Sequence, residues 1–81
     1  MQINVRLFAS YRELLGRSTL DVEVPDGTSV DELFGILQKR YPPLAELHRF
    51  TTFAVNRDVV SGETILGAGD EVAFLQPVSG G

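Results

Sequence analysis

Cysteine and tryptophan are missing from this 81-residue chain, and histidine and lysine occur once each, as His48 and Lys39. Without cysteine there can be no disulfide, thiolate metal site or covalent cysteine intermediate. A lone histidine excludes imidazole-rich metal sites as well, so no metal centre is expected. Cations are scarce: 7 Lys and Arg against 11 Asp and Glu leave a net charge of −4. That is the wrong sign for a nucleic-acid footprint, which gathers Lys and Arg. A single lysine also gives polymer-building through surface lysines little material. No run approaches the ~18 apolar residues of a membrane span. No basic-then-apolar leader opens the chain. These absences predict a soluble, cytoplasmic protein with neither a nucleic-acid nor a membrane partner.

The residues that are present suit one small globular domain. The hydrophobic fraction of 43% is too high for a disordered chain, and the length leaves no room for a second core. Ile3, Val5 and Leu7 alternate with polar residues, predicting a strand over Gln2 to Phe8, with Phe8 placing an aromatic on the outer face. Ala9 to Leu15 reads as a short helix stopped by Gly16. Leu20, Val22 and Val24 mark a second strand over Ser18 to Val24, followed by a Pro25-Asp26-Gly27 turn. Ser29 and Glu32 form an S-x-x-E capping box that opens the main helix. Val30, Leu33, Phe34, Leu37 and Tyr41 give that helix one apolar stripe, and Pro42-Pro43 ends it. Leu44 and Leu47 suggest one further irregular turn. Thr52 to Asn56, Val59-Val60 and Glu71 to Gln76 complete the strands, with turns at Asn56-Arg57-Asp58 and Gly67-Ala68-Gly69-Asp70. Val72 and Phe74 point inward by alternation. This order of elements predicts an α+β fold of the β-grasp, ubiquitin-like kind. Its mixed five-stranded sheet has the first and last strands parallel at its centre and one main helix across one face.

The domain is expected to span 1–76, leaving Pro77-Val78-Ser79-Gly80-Gly81 as a flexible tail. Pro77 lacks an N–H and cannot continue a strand ladder. Five residues beyond the sheet extend roughly 17 Å at ~3.3–3.6 Å each. Glycines without Cβ atoms suit threading through a narrow channel, which would bring a terminal carbonyl beside another protein's groups. A carboxylate is a poor electrophile until ATP converts it to an acyl-adenylate. Replacing one oxygen with sulfur then makes a nucleophilic thiocarboxylate.

The other polar residues offer less. His48 has no identifiable orienting neighbour and reads as a surface or helix-end residue. Asp31-Glu32 suits the start of a helix dipole, and Asp70-Glu71 suits a turn. Gly67-Ala68-Gly69 lacks the strand-before, helix-after context of a phosphate loop. Phe8, Val60 and Leu75 are expected on the open face of the sheet, beside the root of the tail, as a docking patch; Arg12, Glu13 and Arg57 read first as solvated surface residues, with a place at the rim of that patch as the alternative.

Three stretches carry a family resemblance that spans the chain. Leu7-Phe8-Ala9 with Arg12-Glu13-Leu14 and Gly16 is one, and Phe53-Ala54-Val55-Asn56 is another. The most specific is Gly69-Asp70-Glu71-Val72-Ala73-Phe74 followed by Pro77-Val78-Ser79-Gly80-Gly81. Together they resemble the small subunits of molybdopterin synthase, a family of ubiquitin-like sulfur carriers. One departure stands out: Leu75-Gln76-Pro77 replaces the Phe-Pro-Pro often seen there, putting an aliphatic side chain where a partner usually meets an aromatic one.

The resemblance implies that Gly81 is adenylated, at the expense of ATP, by an adenylyltransferase of the ubiquitin-activating type. A sulfurtransferase then supplies the sulfur of a thiocarboxylate. It further implies a large synthase subunit as partner, in a heterotetramer of two small and two large subunits. That subunit would hold the catalytic groups that pass sulfur to cyclic pyranopterin monophosphate. In this picture Gly81 carries the reactive atom and Gly80 is its slender neck. Phe8, Val60, Leu75, Pro77, Val78 and Ser79 bind partners, and no cofactor is tightly bound. The alternatives are a carrier or protein modifier for another pathway, such as thiamine synthesis or tRNA thiolation, and a β-grasp interaction module with inert glycines.

Overall fold

A computed structural model describes residues 1–47 and 51–76. In chain order the elements are β1 (Gln2–Leu7), α1 (Ala9–Leu15), β2 (Thr19–Glu23), α2 (Val30–Arg40), a 3-10 turn (Pro42–Glu46), β3 (Thr52–Val55), β4 (Asp58–Val60) and β5 (Glu71–Leu75). The strands form one sheet in the order β2-β1-β5-β3-β4, with β1 and β5 parallel and every other pair antiparallel. The first and last strands therefore meet inside the sheet, as the order of elements predicts for a β-grasp.

Local sequence explains most of the boundaries. Ser29 Oγ accepts from the Glu32 N–H at 3.2 Å, and Glu32 Oε1 accepts from the Ser29 N–H at 3.0 Å, closing the capping box at the start of α2. Lys39 and Arg40 lie in the last turn of α2, where cations complement the helix dipole. Gly16 ends α1 in the left-handed region at φ 70°, its N–H bonded to the Arg12 carbonyl at 2.9 Å. Every strand differs from the sequence expectation by a residue at one end or both: β2 is trimmed to Thr19–Glu23, β4 gains Asp58 and β5 stops at Leu75. β1 stops at Leu7, and Phe8 becomes the extended N-cap of α1 (φ −125°, ψ 157°). Asn56 leaves β3 and enters the following turn.

The core lies between α2 and one sheet face. Val30, Leu33, Phe34 and Leu37 of α2 are fully buried with Ile3, Val5, Val22, Val72 and Phe74. Tyr41, placed on the same stripe by its spacing, is the C-cap of α2 and only half-buried. Three phenylalanines interlock edge to face: Phe34–Phe74 at 4.9 Å between centroids, Phe34–Phe53 at 5.6 Å and Phe53–Phe74 at 5.8 Å. Such pairs add about 0.5–1.5 kcal/mol beyond the area they bury. Tyr11 adds its ring edge to Phe74 at 6.0 Å. Its hydroxyl shares a 2.7 Å hydrogen bond with Thr51, whose hydroxyl reaches the Leu47 carbonyl at 2.7 Å. This chain of bonds ties α1 to the segment that leads into β3. Burial pushes the Tyr11 phenol above its ordinary range, and the hydrogen bond to Thr51 offsets part of that rise.

Candidate functional site

Because α2 covers one face of the sheet, function on the other face depends on which residues point there. Cross-strand pairing decides it, since paired residues share a face. Phe53 pairs with Phe74 and with Val60, so these three line the core side. The next residues along each strand point the opposite way. Ala54, Ala73 and Val59 form one row of the open face, continued by Arg6 on β1 and Thr19 on β2. Leu75 pairs with Thr52 in the next row. Phe8, one residue past the Leu7–Phe74 pair, flanks Leu75 from the β1 side.

Leu75 and Phe8 thus lie where alternation put them, on the open face at the end of the sheet from which residue 77 continues. Phe8 is 41% exposed. Val60 does not join them. Its pairing with Phe53 turns it inward, where it packs half-buried against the core. Val59 holds the open-face position instead and is 71% exposed. The length of the β3–β4 loop is the reason. With both φ angles positive (50° and 74°), Asn56-Arg57 is the two-residue loop of a tight hairpin, and Val55 pairs with Asp58. A two-residue loop sets Val60 opposite Phe53, whereas the three-residue turn expected from the sequence left the register open.

The open face is graded. Towards the root of the C-terminal segment it is apolar: Phe8, Leu75, Ala73, Ala54 and Val59 span roughly 14 Å across four strands at about 4.8 Å per strand. Towards the other end it becomes polar. The Asn4 amide donates to Asp21 at 3.2 Å. Asn56 clamps the β3–β4 hairpin to the start of β5, donating to Asp70 at 3.0 Å and accepting from the Glu71 N–H at 3.0 Å. Asp70 also accepts from the Gly67 N–H at 2.7 Å, so its carboxylate serves turn geometry. Arg6 sits at the border, its guanidinium 5.7 Å from the Phe8 ring centre and 3.7 Å from Glu71. At the root, Ser10 Oγ donates to Gln76 Oε1 at 3.1 Å, linking α1 to the last residue before Pro77.

Gly80, Gly81, Pro77, Val78 and Ser79 lie outside the described residues, as does His48. Arg12 and Glu13 fall on α1, and Arg57 is at the hairpin tip. Among the described residues, no three His, Asp or Glu side chains gather into a metal-binding group. No described helix is long and apolar enough to cross a membrane. A shallow groove of about 510 Å³ runs along the outer side of α2, lined by Pro25, Glu32, Gly35, Ile36 and Lys39 among others. It lies on the helix side of the molecule, away from the open face.

The comparisons with known proteins agree with this geometry. The ThiS family model matches residues 5–81. The molybdopterin synthase sulfur carrier subunit of Mycobacterium tuberculosis is 39% identical over 82 residues, covering 100% of this chain and 99% of that protein. Among solved structures, the putative molybdopterin converting factor subunit 1 from Pyrococcus furiosus superimposes with a TM-score of 0.87 at 29% identity, covering 96% of this chain and 99% of that one. SAMP1 from Haloferax volcanii gives 0.85 at 28% identity, with both chains fully covered. A chain in the complex of subunits 1 and 2 of molybdopterin-converting factor from Helicobacter pylori gives 0.73 at 27%, again with both fully covered. With a β-grasp sheet, an apolar open face at the root of a Gly-Gly segment, and full-length similarity of this kind, the chain belongs to the ThiS family and, within it, to the molybdopterin synthase sulfur carrier subunits.

Proposed function

We propose that this protein carries sulfur on Gly81 and delivers it within molybdopterin synthase. The observation that carries the reading is that β5, a central strand, ends at Leu75 beside an exposed apolar patch, five residues in sequence before Gly80-Gly81. The family match runs through Gly81 itself. β5 is anchored on both sides, by β1 and by β3. Its end is therefore a fixed point from which a short segment can aim. The patch of Phe8, Leu75 and Val59 gives a partner apolar surface to bury beside that point, and contiguous exposed apolar surface marks interaction sites.

In the first step, the Gly81 carboxylate attacks the α-phosphorus of ATP on an adenylyltransferase, and pyrophosphate leaves. A thiol reductant releases sulfide-level sulfur from a sulfurtransferase persulfide, becoming a disulfide with it, and that sulfur displaces AMP to leave a thiocarboxylate. The large synthase subunit then binds the open face, receives the tail in its active site and passes sulfur to cyclic pyranopterin monophosphate. Two such deliveries give the dithiolene. The catalytic acids and bases belong to the partners, and this chain acts as a sulfur-carrying co-substrate in the cytoplasm, in an assembly of two small and two large subunits. The relative in the Helicobacter complex, which pairs subunit 1 with subunit 2, supports a large-subunit partner.

Reconstitution tests the reading. The chain is incubated with the adenylyltransferase, ATP and a sulfur source, then with the large subunit and the pterin precursor. The expected result is an intact-mass gain equal to one oxygen exchanged for sulfur, followed by molybdopterin formation. Deleting Gly81 should abolish both steps while leaving the melting temperature nearly unchanged. A thiocarboxylate that forms but serves only thiamine synthesis or tRNA thiolation would move the protein to another pathway. No mass gain at all would overturn the carrier role.

A further inference from the structure

Among the described residues, Arg6 is the one cation placed within the open face itself. Its row neighbours on the β5 side are Ala73, Ala54 and Val59, and the Phe8 ring lies within cation–π range. Its ion pair with Glu71 is long, at 3.7 Å through one nitrogen, and its side chain remains 44% exposed. A guanidinium carries five N–H donors in a rigid fork suited to bidentate pairing with a carboxylate. Glu71 engages one corner of that fork, and the Phe8 ring face can accept no ordinary hydrogen bond. Among the described residues the guanidinium makes no other hydrogen bond or ion pair, and with its side chain 44% exposed its remaining donors are within reach of water.

A purely apolar partner laid over this patch would strip water from those donors and leave them unpaired, which strongly disfavours binding. The surrounding charge adds a second constraint. The polar end of the face carries Asp21, Asp70 and Glu71, and the whole chain is −4. Among the described residues, Arg6 is the place within the face, inside any rim contribution from Arg12 and Arg57, where a partner carboxylate would meet a cation. A carboxylate paired there would set the register as well as the affinity of docking.

We propose that Arg6 is a specificity-determining residue of the docking face. It pairs with a carboxylate on the large synthase subunit, set beside the apolar surface that covers Phe8, Leu75 and Val59. This rests on the open-face docking reading above, and the test separates the two.

Wild type, Arg6→Gln, Arg6→Glu and Leu75→Glu are each titrated with the large subunit, and separately with the adenylyltransferase, at low and physiological salt. Thermal melts confirm that each variant is folded. Arg6→Gln, which keeps a polar though shorter side chain and removes the charge, should weaken binding about tenfold. It should also make affinity less sensitive to salt than in the wild type. Arg6→Glu should weaken binding further and slow association. If Leu75→Glu weakens binding while both Arg6 variants match the wild type in affinity and salt dependence, the carboxylate partner is refuted and the docking face stands. If all three bind normally, the docking reading itself fails. If the Arg6 variants lose affinity only for the adenylyltransferase, the assignment to the large subunit is wrong.

Discussion

Phe74 and Leu75 are adjacent on β5 and face opposite sides, so substituting each in turn separates folding from docking. Phe74 is fully buried and stacks edge to face with Phe34, Phe53 and Tyr11. Phe74→Ala removes the ring and leaves a cavity, a change that costs about 3–5 kcal/mol. A chain of this length has a total stability of about 4–12 kcal/mol at the usual 0.05–0.15 kcal/mol per residue. The substitution therefore consumes a large share of the fold's margin. Leu75→Glu acts at a half-buried position of the open face beside Phe8. The carboxylate stays in water when the protein is alone, so stability should change by less than about 1 kcal/mol. Docking would place that carboxylate without a counter-charge under an apolar partner. The expected loss there is about 2 kcal/mol or more, roughly thirtyfold in Kd. Both partners that handle the tail should suffer, because each must hold its root to aim Gly81. Urea unfolding gives the stability of each variant, and calorimetric titration against the adenylyltransferase and the large subunit gives the affinities. Unfolding by Leu75→Glu would refute the facing derived from strand pairing. A folded Leu75→Glu variant that binds both partners normally would refute the patch.

Tyr11→Phe removes the hydroxyl bonded to Thr51 and should cost about 1 kcal/mol near neutral pH. Burial raises the Tyr11 pKa above 10.0 in the folded state, so above that pH the unfolded chain loses its proton first and wild-type stability falls as pH rises. Denaturation curves from about pH 8 to about pH 11 should show a shallower decline for Tyr11→Phe, and parallel declines would refute this. Arg57→Gly should stabilise the fold by about 0.5–1 kcal/mol, since relief of a left-handed backbone at φ 74° outweighs the added freedom of the unfolded chain. A lower urea midpoint would count against the hairpin argument. Gly35 lies within α2, and a Cβ built there meets nothing within 4 Å. Gly35→Ala should therefore raise stability by about 0.5–1 kcal/mol without altering affinity for the large subunit, checked by urea unfolding and the same titration.

Short-range chemistry made much of this protein legible in its sequence. The capping box at Ser29 and Glu32, the stripe from Val30 to Leu37, the stop at Gly16 and the alternation in β1, β2 and β5 all act within a few residues. Each yields its element without knowledge of the rest of the chain. The Gly80-Gly81 terminus and the strand before it were equally visible, and with them the case for a carrier. Long-range pairing decided the site. Alternation says that Val59 and Val60 face opposite sides but not which is outward, and that choice fell to the tight Asn56-Arg57 loop and the Phe53–Val60 pair. Arg6 belongs to the same surface as Val59 only because β1 lies parallel to β5, joining residues almost seventy positions apart at Arg6–Ala73. A strand's period of two fixes relative facing within itself. Absolute facing and cross-strand neighbours come from the register of distant segments, set when the whole sheet closes over its core.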